Sequence, residues 1–170
     1  MSLMKERMLR GDLYVADDPD LAADHARAQE LLDRYNATRH AEQDERDRLL
    51  HSLLGGAGEG VVVKPTFRCD YGAPITIGAG TFVNYDCVML DVAPITIGSS
   101  CQLATRVQLL TATHPIDPEP RRLGWEYGRP ASSCRVPAAR TRTSRGARRS
   151  PRDGRPAAAA TGPRAVRAAA

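Results

Sequence analysis

The sequence predicts a mainly β protein, a parallel β-helix behind an N-terminal helical cap, and three observations carry that reading. Ala73-Pro74-Ile75-Thr76-Ile77-Gly78 returns as Ala93-Pro94-Ile95-Thr96-Ile97-Gly98, 20 residues later (93 − 73). Aliphatic residues then recur every six positions behind each copy, as Ile77, Val83 and Met89 and again as Ile97, Leu103 and Leu109. Each short strand of a parallel β-helix turns one such side chain inward, and three of them close a triangular coil of roughly 18 residues. The step of 20 is therefore one coil plus a two-residue insertion, which residues 91–94 can hold at a corner. Finally, the residues ahead of this repeat carry helical and not alternating patterns.

Taken in order, Lys5 to Arg10 reads as a short helix stopped by Gly11, which tolerates positive φ. Asp20 is a candidate cap for a second helix with Leu21, Ala28, Leu31, Leu32 and Tyr35 along one line. A third helix is expected from about Glu42 to Leu54, with Leu49, Leu50, Leu53 and Leu54 on one side, and Gly55-Gly56-Ala57-Gly58 ends it. Residues 1–58 form the expected cap over the open apolar end of the β-helix, and His25, His40 and His51 are read as its surface residues. Residues 59–130 form the expected repeat domain, with the strand register opening at Val61. Small residues follow the inward aliphatics (Gly78, Asn84, Gly98, Ala104), where the chain turns and bulk would clash. After the second copy the pattern yields to a loop over 116–128.

Composition bounds the function. Cysteines 69, 87, 101 and 134 form no CxxC pair and read as small buried residues, so no metal site or disulfide framework is expected. No segment approaches the ~18 apolar residues of a membrane span, and the start of the chain lacks a signal-peptide core, so a soluble, cytoplasmic protein is expected. The net charge of +4 averages two unlike pieces. Residues 131–170 hold ten arginines and one acid; residues 1–130 hold the remaining 14 basic and 19 acidic residues, a net of −5. The patterned part is mildly acidic and makes no case for nucleic acid.

Phe67-Arg68-Cys69-Asp70-Tyr71-Gly72, the run from Phe82 through Asn84 to Asp91, and Thr111-Ala112-Thr113-His114-Pro115 together resemble the maltose and galactoside O-acetyltransferases, bacterial hexapeptide-repeat enzymes. Glu6-Arg7-Met8 and Gly11-Asp12-Leu13-Tyr14 match that family's helical start, and the resemblance covers residues 1 to about 130. It implies a left-handed parallel β-helix, a trimer with sites between neighbouring subunits, acetyl-CoA as donor and a sugar hydroxyl as acceptor. It implies His114 as the catalytic histidine, with Asn84 and Asp70 lining the acceptor pocket and Phe82 as its apolar wall. Glu126 falls where the family borders the acceptor and orients the histidine, and Asp17 or Asp18 matches an acidic acceptor contact. The chemistry is intelligible by itself: a sugar hydroxyl is a poor nucleophile, and an imidazole with an ordinary pKa of ~6.5 is mostly free to take its proton at pH 7. Direct transfer needs no acyl-enzyme, and no Ser or Cys nucleophile motif is present.

The resemblance ends after Tyr127-Gly128-Arg129-Pro130. The family continues with further coils that carry much of the acetyl-CoA site and the trimer contacts, so the donor-binding residues are expected outside the matched region. Here the chain turns to Arg, Ala, Pro, Gly, Ser and Thr, with Val136 and Val166 as its only larger aliphatics. Such a stretch cannot offset the entropy of folding and is expected to be irregular. Its residues are those of GC-rich codons, and a reading-frame shift near residue 131 is the expected cause. Two further readings follow from that tail: an inactive remnant that binds sugar or acts as a scaffold, and a basic arm for nucleic acid. The second lacks the interleaved aromatics that base stacking needs.

Overall fold

The computed structural model describes residues 1–133, and its helices and strands follow the patterning with a few instructive shifts. The chain runs through α1 (Leu3–Arg10), β1 (Tyr14–Val15), α2 (Pro19–Asn36) and α3 (Gln43–Leu53) before the coils begin. Gly11, at φ 75°, closes α1. The cap of α2 is Asp18 and not Asp20. Its carboxylate accepts from the amides of Asp20 at 2.9 Å and Leu21 at 3.3 Å, with Pro19 in the first helical turn. Proline at that position has no N–H to satisfy and a φ already helical, so the capping residue must precede it.

Three coils follow. The first holds β2 (Gly56–Ala57), β3 (Val62–Val63) and β4 (Phe67–Cys69); the second β5 (Ile75–Ile77), β6 (Phe82–Val83) and β7 (Cys87–Leu90); the third β8 (Ile95–Ile97), β9 (Gln102–Leu103) and β10 (Gln108–Leu110). The strands stack in parallel into three faces of a left-handed prism, β2-β5-β8, β3-β6-β9 and β4-β7-β10. Gly56 pairs with Thr76 and Thr76 with Thr96; Val62 pairs with Phe82 and Phe82 with Gln102. Across these three coils each rung thus lies 20 residues from the next, on all three faces. The ladder opens at Gly56, ahead of Val61, because the glycines that stop α3 go straight on to pair with β5.

Ile77, Val83, Met89, Ile97 and Leu103 all point inward and are at most 5% exposed. Leu109, on the outermost described strand of its face, is half-buried. The corners repeat with the same period: Gly60, Gly80 and Ser100 all take φ between 56° and 69°. At Gly78 the constraint is contact, since a Cβ there would lie 2.5 Å from the backbone nitrogen of Ser99 on the next rung. The cap covers the exposed edge of β4. Asn36 donates from Nδ2 to the Phe67 carbonyl and accepts from the Phe67 amide, both at 2.9 Å, and so acts as one more rung. Gln29 and Tyr35 donate to the carbonyls of Cys69 and Val63.

The segment expected as a loop is built. β11 (Ala112–Thr113) leads out of the ladder, α4 (Pro118–Arg122) forms its tip, and β12 (Trp125–Gly128) returns. β12 pairs antiparallel with β11 on one side and with β1 of the cap on the other. β13 (Ala131–Ser133) then re-enters the prism parallel to β8, so residues 131–133 are ladder and not irregular tail. The expectations for the remaining arginine-rich stretch, and for Cys134, lie outside the described residues. Among the described residues, no helix is long and apolar enough to cross a membrane.

Candidate active site

The coil corner between β4 and β5 is closed by a buried carboxylate. Asp91, fully buried, accepts from the backbone amides of Asp70 at 2.8 Å, Tyr71 at 3.0 Å and Gly72 at 2.7 Å. Burial still raises its pKa, against the pull of those three donors. The two-residue insertion at this corner needs such a partner, because its amides have left the ladder. Asp91 is also the residue the 20-residue step placed at the matching corner one coil on.

Asp70 is turned by this arrangement into a cavity of about 470 Å³. The β7–β8 corner contributes Leu90 and Val92, α2 contributes Leu21 and His25, and the β11–β12 excursion contributes His114 and Glu126. Burial, and then the Asp91 carboxylate behind it, push Asp70 up to about 6. Tyr71, in the same wall, is pushed up to about 12 by burial and by Asp70.

His114 leaves the end of β11. Its Nδ1 lies 3.4 Å from the Trp125 carbonyl, and its Nε2 lies 3.9 Å from Oε2 of Glu126. A carbonyl only accepts, so Nδ1 is the donor in that contact and Nε2 is the nitrogen turned toward Glu126. Oε1 of Glu126 accepts from the Tyr14 hydroxyl at 2.5 Å. The Arg7 guanidinium lies over the Trp125 ring, 5.5 Å from its centre. Among the described residues no Ser or Cys lines the cavity, and burial pushes the nearby Cys69 thiol far above its ordinary range.

Of the residues singled out in the sequence, Asp70, His114 and Glu126 meet at this cavity. Asp17 is exposed beside Ala16, which lines it, while Asp18 is spent on capping α2 and on the Ser2 hydroxyl at 2.6 Å. Phe82 and Asn84 do not line it; they sit at and after β6, on another face of the prism. His25 and Tyr14 were missed. His25 is exposed on α2, as read, but the packing of that helix places it in the lining of the same cavity as Asp70. Tyr14 reads as one more buried aromatic, since its partner stands 112 positions away. Among the described residues, no group of His, Cys, Asp and Glu could hold a metal ion.

Residues 7–58 match the model of the maltose acetyltransferase hexapeptide capping motif. Nodulation protein L of Rhizobium meliloti is 45% identical over 126 residues, covering 74% of this chain and 69% of that protein. The crystal structure of a maltose O-acetyltransferase from Clostridium difficile superposes with a TM-score of 0.74 at 41% identity, over 76% of this chain and 69% of the other. A galactoside acetyltransferase in complex with coenzyme A superposes with a TM-score of 0.72 at 28% identity, over 76% and 65%.

Proposed function

Because the chain belongs to the maltose and galactoside O-acetyltransferase family of hexapeptide-repeat enzymes, we propose that it moves acetyl from acetyl-CoA to a sugar hydroxyl with His114 as general base. The observation that carries this is the His114 imidazole at the cavity, with Nδ1 held by the Trp125 carbonyl and Nε2 on the side of Glu126. Nε2 takes the hydroxyl proton as the acceptor oxygen attacks the thioester carbonyl. The C–S bond then breaks, and the imidazolium returns the proton to the departing thiolate. That none of the described residues lining the cavity is Ser or Cys supports direct transfer over an acyl-enzyme.

Asp70, Glu126 and the nearby Asp17 supply acceptors for sugar hydroxyls. Phe82 and Asn84 lie on a different face, which supports a trimer in which a neighbouring subunit brings them to the cavity edge. The relative crystallised with coenzyme A supports acetyl-CoA as donor, and that donor supports a cytoplasmic setting. The test is thiol release from acetyl-CoA with a panel of sugars. His114→Ala is expected to lower turnover by about 10²–10⁴ with acetyl-CoA affinity little changed, because the base acts on the acceptor proton. Full activity in His114→Ala would remove the base from this histidine.

A further inference from the structure

The Tyr14 hydroxyl is a polar group in a side chain with no exposure at all, and its one acceptor is Glu126. A phenylalanine would fill the same space without the cost of burying a hydroxyl, so the hydroxyl needs a reason. β12 lies between β1 and β11, with Tyr14 as the register partner of Glu126 itself. Glu126 is therefore approached from both sides: Tyr14 holds Oε1 at 2.5 Å, and His114 faces Oε2 at 3.9 Å. The second distance is outside hydrogen-bond range. A carboxylate left free on a side chain only 16% exposed would close that gap, because contact with an imidazolium is worth more than a standing separation.

We propose, for the reaction described above, that Tyr14 is a positioning residue whose hydroxyl tethers Glu126 and keeps its carboxylate from closing onto His114. The tether leaves Nε2 its lone pair and keeps room beside it for the acceptor hydroxyl. Without it, Glu126 and His114 form a contact ion pair that holds the proton on the imidazole. The other titratable groups around His114 are His25 from α2, Asp70 and Tyr71 from the β4–β5 corner with Asp91 behind them, and Arg7 from α1 over Trp125. Among the described residues, Glu126 is the carboxylate paired with the imidazole.

The experiment is an NMR titration of the His114 ring in the full 170-residue chain, its signal assigned by its loss in His114→Ala. Tyr14→Phe is expected to raise the His114 midpoint by about half to one pH unit, and Glu126→Gln to lower it by a similar amount. The double variant is expected to titrate like Glu126→Gln, since the tether then has nothing charged to hold. A midpoint in Tyr14→Phe that stays or falls overturns the proposal. A role for Tyr14 in packing alone would lower the melting temperature and leave the midpoint in place. If Tyr14→Phe does not fold, Tyr14→His takes its place, since it keeps a ring with a donor that cannot reach as the hydroxyl does: a raised His114 midpoint supports the tether, and one that stays or falls overturns it. The titration needs no turnover, so failure to acetylate any sugar would defeat the proposed reaction and leave this result readable.

Discussion

Replacing Asp91 by alanine tests whether one side chain holds both the corner and the site. The carboxylate accepts three backbone amides, two of them buried. Hydrogen bonds to a charged acceptor contribute about 1.5–3 kcal/mol each. Burial holds the Asp91 pKa above its ordinary range, which places these bonds at the low end. Water can reach the partly buried Asp70 amide and recover part of the loss there. Asp91→Ala is therefore expected to cost about 3–5 kcal/mol, a large share of the ~5–15 kcal/mol that stabilises a domain. Asp91→Asn keeps the oxygen that serves Asp70 and Tyr71 but turns a donor toward Gly72 if the amide keeps this orientation, so about half that loss is expected. Urea unfolding followed by circular dichroism, at one pH and with a common m-value, gives both numbers. A loss below about 1 kcal/mol for Asp91→Ala would mean that solvent already satisfies these amides, and the account of the corner would be wrong.

Two further outcomes follow from the same corner and ladder. Asp70 holds its proton up to about 6 in the folded state but only to an ordinary carboxylate pKa of 3.8 when unfolded. Its contribution is thus fully present below 3.8 and is lost as pH rises toward 6, so Asp70→Asn is expected to gain on the wild type between pH 4 and pH 7. Partial exposure reduces the gain to about 1 kcal/mol, read as the change in melting-temperature difference across that range; a difference constant with pH would refute it. Gly78→Ala places a methyl against the Ser99 backbone, which cannot move without opening the ladder. A loss of about 1–3 kcal/mol in urea unfolding is expected, and an unchanged midpoint would show that the rungs yield.

The ladder was legible because its period is local. A six-residue step names Ile77, Val83, Met89, Ile97, Leu103 and Leu109 as inward without knowledge of their neighbours; five are buried and Leu109, on the outermost described strand, is half-buried. The helix cap was legible too, but misread by two positions: Asp18-Pro19 carried a cap-then-proline signal that Asp20 obscured. The site was legible only in pieces. Asp70, His114 and Glu126 could be named through family resemblance, whereas His25 and Tyr14 enter through tertiary packing that no spacing encodes. β1 and β11 are two residues long, too short for any alternation to appear. β13, three residues long, lies beyond the point where the aliphatic pattern stops.

The antiparallel sheet of β1, β12 and β11 also separates two events in the making of the molecule. Each rung within the three coils joins residues 20 apart, so coils can zip one upon the next with small loops to close. The Tyr14–Glu126 contact joins residues 112 apart, and loop-closure entropy makes that about 1.5 kcal/mol dearer than a rung. The three coils can therefore be wound before Tyr14 and Glu126 meet. The same asymmetry runs backwards: parting β1 from β12 breaks the Tyr14–Glu126 contact and touches none of the ladder pairs that wind the coils.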